Sequence, residues 1–493
     1  MSNRRLSLND LMEGVRNRSA SLSTGSGITH AWERGFHVYG KLNLFLPLAA
    51  SEDTTNATRY LKIIQAYAAI ADKCVVVAGG TLLEVQGEVI HALLPGELTR
   101  DSVNRVLAFS IALANVVYDE ISPLAGDAWQ SFAMSTEHGQ AVLIATGNGS
   151  ADSIVSLGPS ANNPAKKLPN TDAGHLSIRP ASLALVYPNV DNRNAWEQFD
   201  LRSPPYLPSG SGVSRTFLLD ESVVRAEAKR IIINSGVTQP LIRVLSESDI
   251  TTQIENDVNA PFKTQGFYMR ADLDGFTADV AAAFEDQSGA AVAQIVTRFG
   301  GFMAFADAFA ANLGRRVIRL PWAGDCANMI LLPRTGRTYR DERRFVPATE
   351  AAKWHDLTAQ ADGSGRQWRE VLLESSWAVG MAGGDREDEG ADGYLLVANI
   401  VTSGRRFKIA SGWGTCRSRN ALETASIHGG DTVVHKVDYT ALSDNYREFF
   451  KPLTTVFYRA SGLSMSRITR ESVKTERQTG PTIIVGSGTA LPP

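Results

Sequence analysis

Two short stretches of this chain set carboxylates beside glycine in a pattern suited to metal chemistry. The first reads Tyr268-Met269-Arg270-Ala271-Asp272-Leu273-Asp274-Gly275-Phe276-Thr277. The second reads Leu320-Pro321-Trp322-Ala323-Gly324-Asp325 and runs on into the apolar stretch Met329 to Leu332. If the two lie on adjacent antiparallel strands, Asp272 and Asp325 face one side and can chelate one or two hard cations through oxygen. Magnesium or manganese held this way against a triphosphate is the equipment of phosphoryl transfer. Gly275 leaves room for phosphates, and a helix starting near Thr277 points free amides at them. Each aspartate alone also suits an ordinary turn at a strand end. Their joint occurrence, one before Gly-Phe-Thr and one in a hairpin, is what favours chemistry.

The elements that must position this pair recur twice along the chain. In the first half, Lys41 to Leu48 is an apolar run, and Ala57 to Asp72 carries Tyr60, Ile63, Ile64, Tyr67 and Ile70 at helical spacing. Val75 to Gly80 and Leu82 to Leu94 read as strands, Ser102 to Val117 as a helix, and Ala141 to Ile144 and Ser153 to Leu157 as strands. In the second half, Gly266 to Leu273 is a strand, Ala278 to Phe284 and Ala290 to Asn312 are helices, and Arg316 to Leu320 with Met329 to Leu332 form a hairpin. A later hairpin joins Gly393–Ile400 to Arg406–Ser411.

Each half thus reads strand, helix, hairpin, helix, strand, the ferredoxin-like (βαββαβ) order, giving an α+β protein of two tandem domains arranged as a pseudo-dimer. Expected boundaries are a flexible N-terminus (1–30), a first domain (31–200), a connecting segment (201–260), a second domain (261–470) and a flexible tail (471–493). Polar composition marks Arg340 to Asp362 and Gly383 to Gly393 as loops, and Arg202 to Val213 as an exposed connection.

Composition narrows the function classes. With 493 residues, two or more domains with full cores are affordable, and 43% hydrophobic and 20% charged residues are ordinary for a globular protein. A net charge of −3 argues against a broad basic face for nucleic acid. Cys74, Cys326 and Cys416 are too scattered for a disulfide framework or a zinc knuckle, which suits a reducing cytoplasm. No secretory leader is evident in Met1 to Thr24, and no run of eighteen apolar residues suggests a membrane span. Cys326, beside Asp325 but without a histidine partner, reads as packing.

Asp272-Leu273-Asp274-Gly275-Phe276-Thr277 resembles the first metal-binding motif of the class III nucleotidyl cyclases, and Trp322-Ala323-Gly324-Asp325 resembles the second. The resemblance implies two divalent ions, Mn2+ or Mg2+, between Asp272 and Asp325, with the backbone carbonyl of Leu273 as a further ligand. It also implies attack of a ribose 3′-hydroxyl on the α-phosphorus, with pyrophosphate leaving.

In that family a partner domain supplies an Asn and an Arg one helical turn apart. Asn163 and Lys167, after Ser156-Leu157-Gly158 in the first half, fit that role with lysine in place of arginine. A register one residue earlier, Asn162 and Lys166, fits as well, and so does a solvated helix start capped by Asn. The first half offers only Asn43 and Glu88 where the second has Asp272 and Asp325, so one working and one decayed site are expected.

Base choice turns on the approach to Gly324-Asp325. Purine cyclases of the family place Lys or Glu there, whereas Pro321 stands here, with Arg319 and Trp322 as alternative readers or as strand-end packing. His138-Gly139-Gln140 to Ile144, Val155 to Gly158 and Arg405-Arg406-Phe407 resemble the bacterial anti-phage pyrimidine (uridylate) cyclases of the Pycsar defence system.

That resemblance implies a cytoplasmic enzyme converting UTP to 3′,5′-cyclic UMP, whose product acts on a separate effector. No direct nucleic-acid or membrane contact follows from it, and a homodimer remains compatible. Adenylate, guanylate or cytidylate cyclases, and an inactive nucleotide sensor, stand as alternatives.

Overall fold

The computed structural model describes residues 4–16, 29–44, 54–146, 154–179, 182, 196–202, 221–235, 261–286, 289–313, 316–359, 377–383, 394–402, 405–424 and 427–469. The first half runs β1 (Arg4–Leu6), α1 (Leu8–Arg16), β2 (Thr29–Leu44), α2 (Thr54–Val77), β3 (Thr81–Gln86), β4 (Val89–Pro95), α3 (Arg100–Val116), β5 (Trp129–Ala145), β6 (Ile154–Leu157), α4 (Pro159–Lys167), β7 (His175–Ile178) and β8 (Glu197–Asp200). After α5 (Glu221–Ser235) come β9 (Phe262–Thr264), β10 (Phe267–Leu273), α6 (Phe276–Glu285), α7 (Ala290–Leu313), β11 (Val317–Arg319) and β12 (Cys326–Leu331). The second half continues with α8 (Val346–Ala359), β13 (Trp377–Gly383), β14 (Leu395–Thr402), β15 (Arg405–Ser411), α9 (Trp413–Leu422), β16 (Asp431–His435), β17 (Lys451–Pro452) and β18 (Phe457–Ser461).

The duplication is visible in the sheets. The first is ordered β3-β4-β2-β5-β7-β8 and the second β11-β12-β10-β13-β16-β18-β17. In both, the hairpin and the first and fourth strands take the ferredoxin-like order, and the next strand joins parallel to the fourth. Period-two alternation splits each sheet into two faces. Phe36, Val38 and Leu42 of β2 point to one core, as Met269, Ala271 and Leu273 of β10 do to another. Tyr39, Lys41 and Asn43 therefore share the opposite face of β2, and Tyr268, Arg270 and Asp272 that of β10.

Each half lends an arm to the other's core. Val142 and Ile144 of β5, with Val155 and Leu157 of β6, sit in the second-half core beside Phe276 and Trp322. Leu396, Ala398 and Ile400 of β14, with Phe407 and Ile409 of β15, sit in the first-half core. Hydrogen bonds secure the second arm. Gln65 exchanges two bonds with the Val401 backbone, Nε2 to O at 2.7 Å and N to Oε1 at 3.1 Å. Thr402 donates to buried Asp72, and the Arg405 guanidinium donates to the carbonyls of Leu82 and Leu83. Relative placement of the halves, which any shared site needs, is therefore fixed by buried contacts.

Four expectations need correction. Val75 to Val77 are not strand but the end of α2, because Cys74 and Val75 face the core while Val76 points to solvent. Gly79 and Gly80 close that helix by bonding the carbonyls of Val76 and Val75. The stretch 340–362, expected as a loop, contains α8, whose Val346, Ala348, Ala351 and Ala352 are buried. Its Trp354 is fully buried against Phe305, Phe309 and Trp377. Polar residues hid this helix. Glu342 and Glu350 are buried as well, and Arg316 and Arg334 neutralise them.

The N-terminus is not simply flexible, since β1 pairs parallel to β2 and α1 buries Leu11 and Met12 against Leu83, Leu93 and Leu143. The connecting segment includes α5, which packs Ala228 and Ile231 into the first core. The 471–493 tail and nearly all of 202–213 and 383–393 lie outside the described residues.

Among the described residues one helical stretch, Arg100–Ala128, is long and apolar enough to cross a membrane; 67% of its apolar window is buried inside the protein, as a core helix requires.

Candidate active site

Asp272 and Asp325 converge. Asp272 sits at the end of β10, directly across from Cys326 of β12. Gly324 and Asp325 form the two-residue turn before Cys326, closed by reciprocal bonds of 3.1 Å between Ala323 and Cys326. Both glycines of the motifs hold positive φ, +62° at Gly324 and +75° at Gly275, which other residues adopt with strain. A side chain at either would meet nothing within 4 Å, so open space lies before both turns. Gly275 leads directly into α6, whose N-terminus carries no side-chain cap.

Ligand atoms of Asp272, Asp325 and Cys326 lie within 4.8 Å of one another. The Cys326 thiol donates to Asp272 Oδ1 at 2.6 Å, and Arg270 Nη2 approaches the same sulfur at 3.3 Å. Crowding has an electrostatic consequence. Burial first, and the charge of Asp272 second, push the Asp325 carboxyl up to about 7, while its own backbone, Lys166 and Arg270 partly offset the rise. A buried carboxyl crowded by a second carboxylate fits a divalent cation, which would relieve both burial and repulsion.

The first half approaches this pair through one helix. Helix α4 of the first half packs against α6 of the second. The lysine whose charge favours ionised Asp325 is Lys166, not the expected Lys167. Asn163 lies beside Glu137 and favours its ionised form, and Glu137 also pairs with Arg179 at 3.4 Å. The earlier register, Asn162 with Lys166, thus has the stronger structural support. Leu273 ends β10 with its side chain buried, which leaves its backbone as the group able to serve the site.

The two expected base readers are occupied elsewhere. Arg319 bonds Asp307 of α7 at 2.8 Å. Trp322 is only 8% exposed and packs edge-on against Phe299 at 5.1 Å. What reaches that spot from the first half is Gln86, whose Nε2 donates to the Trp322 carbonyl at 3.2 Å and to Glu84 at 2.6 Å. Burial pushes the Glu84 carboxyl up to about 8. Sequence reasoning gave Gln86 and Arg270 no role, held Lys166 only as the alternative register, and read Cys326 as packing. A signal did exist, in the repeat Tyr39-x-Lys41-x-Asn43 and Tyr268-x-Arg270-x-Asp272.

The corresponding first-half position is built differently. Asn43 donates to Ser131 at 2.6 Å, and Glu88 accepts from Tyr60 at 2.7 Å. Lys41 lies in the same pocket, its ammonium disfavoured by burial and by Arg419, and favoured by Glu88.

No family model matches this sequence, and no curated protein does. Similar architectures do exist among solved structures. A class III adenylyl cyclase-like ATP-binding protein from Pseudomonas aeruginosa superposes on 96% of this chain and 100% of its own, with a TM-score of 0.62 at 15% identity. The guanylyl cyclase Cya2 covers 36% of this chain and 97% of its own at a TM-score of 0.29 and 16% identity. The adenylyl cyclase CyaB from P. aeruginosa covers 41% and 95% at 0.28 and 14%. The first of these likenesses extends over both halves, and it shows that this chain has the α+β fold of a class III cyclase-like protein.

Proposed function

We propose that this protein is a nucleotidyl cyclase with one working site per chain, and that its substrate is a pyrimidine nucleoside triphosphate, UTP. The observation that carries the reading is the convergence of Asp272 and Asp325 on the face that Lys166 reaches from the other half. A divalent ion bound by these carboxylates supplies positive charge for the triphosphate and acidifies the ribose 3′-hydroxyl. The remaining roles belong to this chain. Asp272, Asp325 and the Leu273 carbonyl would hold the cation. Asn162, or Asn163 one place on, orients the ribose. Lys166 offsets charge on the α-phosphoryl group as the 3′-oxygen bonds to phosphorus and the bond to the departing pyrophosphate breaks. The arms exchanged between the halves support reading the chain as a pseudo-dimer with its site at the internal boundary.

The pyrimidine assignment rests on Pro321, where purine cyclases of the family set Lys or Glu, and on the likeness to the uridylate cyclases. With Arg319 and Trp322 engaged, we assign base reading to Gln86. Both Nε2 hydrogens of Gln86 are spent on Glu84 and Trp322, so Oε1 is the acceptor it offers to the N3–H of uracil. The product would act in the cytoplasm on a separate effector in anti-phage defence.

The second reading is nucleotide binding without turnover. It draws on Arg270, which brings a guanidinium to the aspartate pair, and on the ATP-binding relative of similar architecture. Incubating the protein with UTP, CTP, ATP and GTP in Mn2+ and identifying products decides among these. Cyclic UMP with stoichiometric pyrophosphate is expected. Cyclic AMP or GMP as the main product removes the pyrimidine assignment, and binding without any cyclic product transfers support to the second reading.

A further inference from the structure

The helix of the second half that corresponds to α4 is α9, and it carries an unusual cation. Arg417 is 5% exposed, and both terminal nitrogens of its guanidinium are buried without a hydrogen-bond partner. Buried guanidinium groups are costly unless an anion accompanies them. The side chain leans toward the start of its own helix, as helical side chains do, and its guanidinium carbon lies 5.8 Å from the centre of the Trp413 ring at the first helical position. That end of α9 has only Gly412 as its cap and no side-chain hydrogen bond. Unsatisfied backbone N–H groups and the positive end of the helix dipole are therefore placed beside a second, unpaired positive charge. Without an anion the arrangement repels itself.

The first-half counterpart shows the contrast. In α4 the residue equally far past its capping glycine, Gly158, is Asn163, a neutral side chain beside the acidic Glu137. No acidic side chain among the described residues pairs with Arg417.

We propose that Arg417 and the N-terminus of α9 form an oxyanion site for a phosphoryl group, free or carried by a nucleotide, that operates without metal. A planar fork of donors next to convergent backbone N–H groups matches a tetrahedral oxyanion. The site uses neither Asp272 nor Asp325, and does not depend on the cyclase reading.

Calorimetric titration of the full chain with pyrophosphate in EDTA tests it, with UTP and uridine as parallel arms. Wild type and the Asp272→Asn/Asp325→Asn double variant should bind one pyrophosphate with equal affinity. Arg417→Met should bind about tenfold more weakly or worse, the usual size for losing a charge-assisted pair. UTP binding well above pyrophosphate, with uridine silent, assigns a nucleotide ligand; equal affinities assign the free anion. No binding by wild type in EDTA overturns the proposal, as does an Arg417→Met protein that melts normally and binds like wild type. Should Arg417→Met not fold, Arg417→Lys keeps the charge but loses the fork; undiminished binding in that variant also overturns it.

Discussion

The two boundary sites of this molecule begin from the same strand pattern and end in different chemistry. On β2, Tyr39, Lys41 and Asn43 share a face, and on β10 so do Tyr268, Arg270 and Asp272. Each faces a two-residue hairpin turn that carries an acid, Glu88 in one and Asp325 in the other. In the first half the polar groups satisfy one another: Asn43 is spent on Ser131, and Glu88 on Tyr60. In the second half the aspartates face each other, and one resists ionisation. A satisfied network stabilises a fold, whereas an unsatisfied pair of like charges calls for a ligand. Duplication supplied two copies, and the difference between them points to where chemistry resides.

The comparison breaks most sharply at the aspartates. Replacing Asp272 or Asp325 by Asn should lower cyclic-nucleotide turnover by roughly a thousandfold, because the charge on the reacting triphosphate loses its counter-ion site. Turnover within tenfold of wild type in both variants would place the chemistry elsewhere.

A smaller effect separates the two lysines of α4. Lys166→Ala should reduce kcat about ten- to a hundredfold with little change in Mn2+ affinity, while Lys167→Ala stays within about twofold. The opposite ranking, read from steady-state kinetics, would restore the Asn163–Lys167 register.

In the first half the same kind of change should act on stability alone. Glu88→Gln or Asn43→Ala should cost about 1 kcal/mol in denaturant unfolding, the worth of one partly buried hydrogen bond, and leave turnover within about twofold. A large loss of activity would mean that the first-half position is no decayed site.

The smallest effect sharpens the electrostatic side. Because the Asp325 carboxyl is raised from 3.8 to about 7, the metal-free fold favours its protonated form and loses stability as pH rises through that window. Asp325→Asn should therefore stabilise the metal-free protein above pH 7, on the order of 1 kcal/mol given partial solvent access, and show no advantage below pH 4. Chemical denaturation across pH checks it, and added Mn2+ should reverse the advantage.

Much of this fold was legible because its long periodic segments are unambiguous. The strand at Phe267–Leu273, the helix at Ala290–Leu313 and both second-half hairpins are where alternation and helical spacing place them. The misses share a cause in tertiary context. Val75 to Val77 favour strand locally, yet packing of Cys74 and Val75 keeps them in a helix. Helix α8 was obscured by Glu350, whose burial depends on ion pairs with Arg316, distant in sequence, and with Lys353 one turn on.

At the site, Asp272 and Asp325 announce themselves through glycine neighbours. The choice between Lys166 and Lys167 depends on how α4 is rotated against α6, and no local pattern encodes that. Arg319 and Trp322 stayed open between base reading and packing because their partners, Asp307 and Phe299, lie on a helix earlier in the chain.

The central claim is that one boundary site, and not its duplicate, binds catalytic metal. Counting bound Mn2+ by electron paramagnetic resonance, with saturating UTP analogue that cannot cyclise, measures this directly. Wild type and Asn43→Ala/Glu88→Gln should hold the same number of ions per chain, and Asp272→Asn/Asp325→Asn should hold none. Retention of Mn2+ in the aspartate double variant, or its loss in the first-half one, would contradict the account.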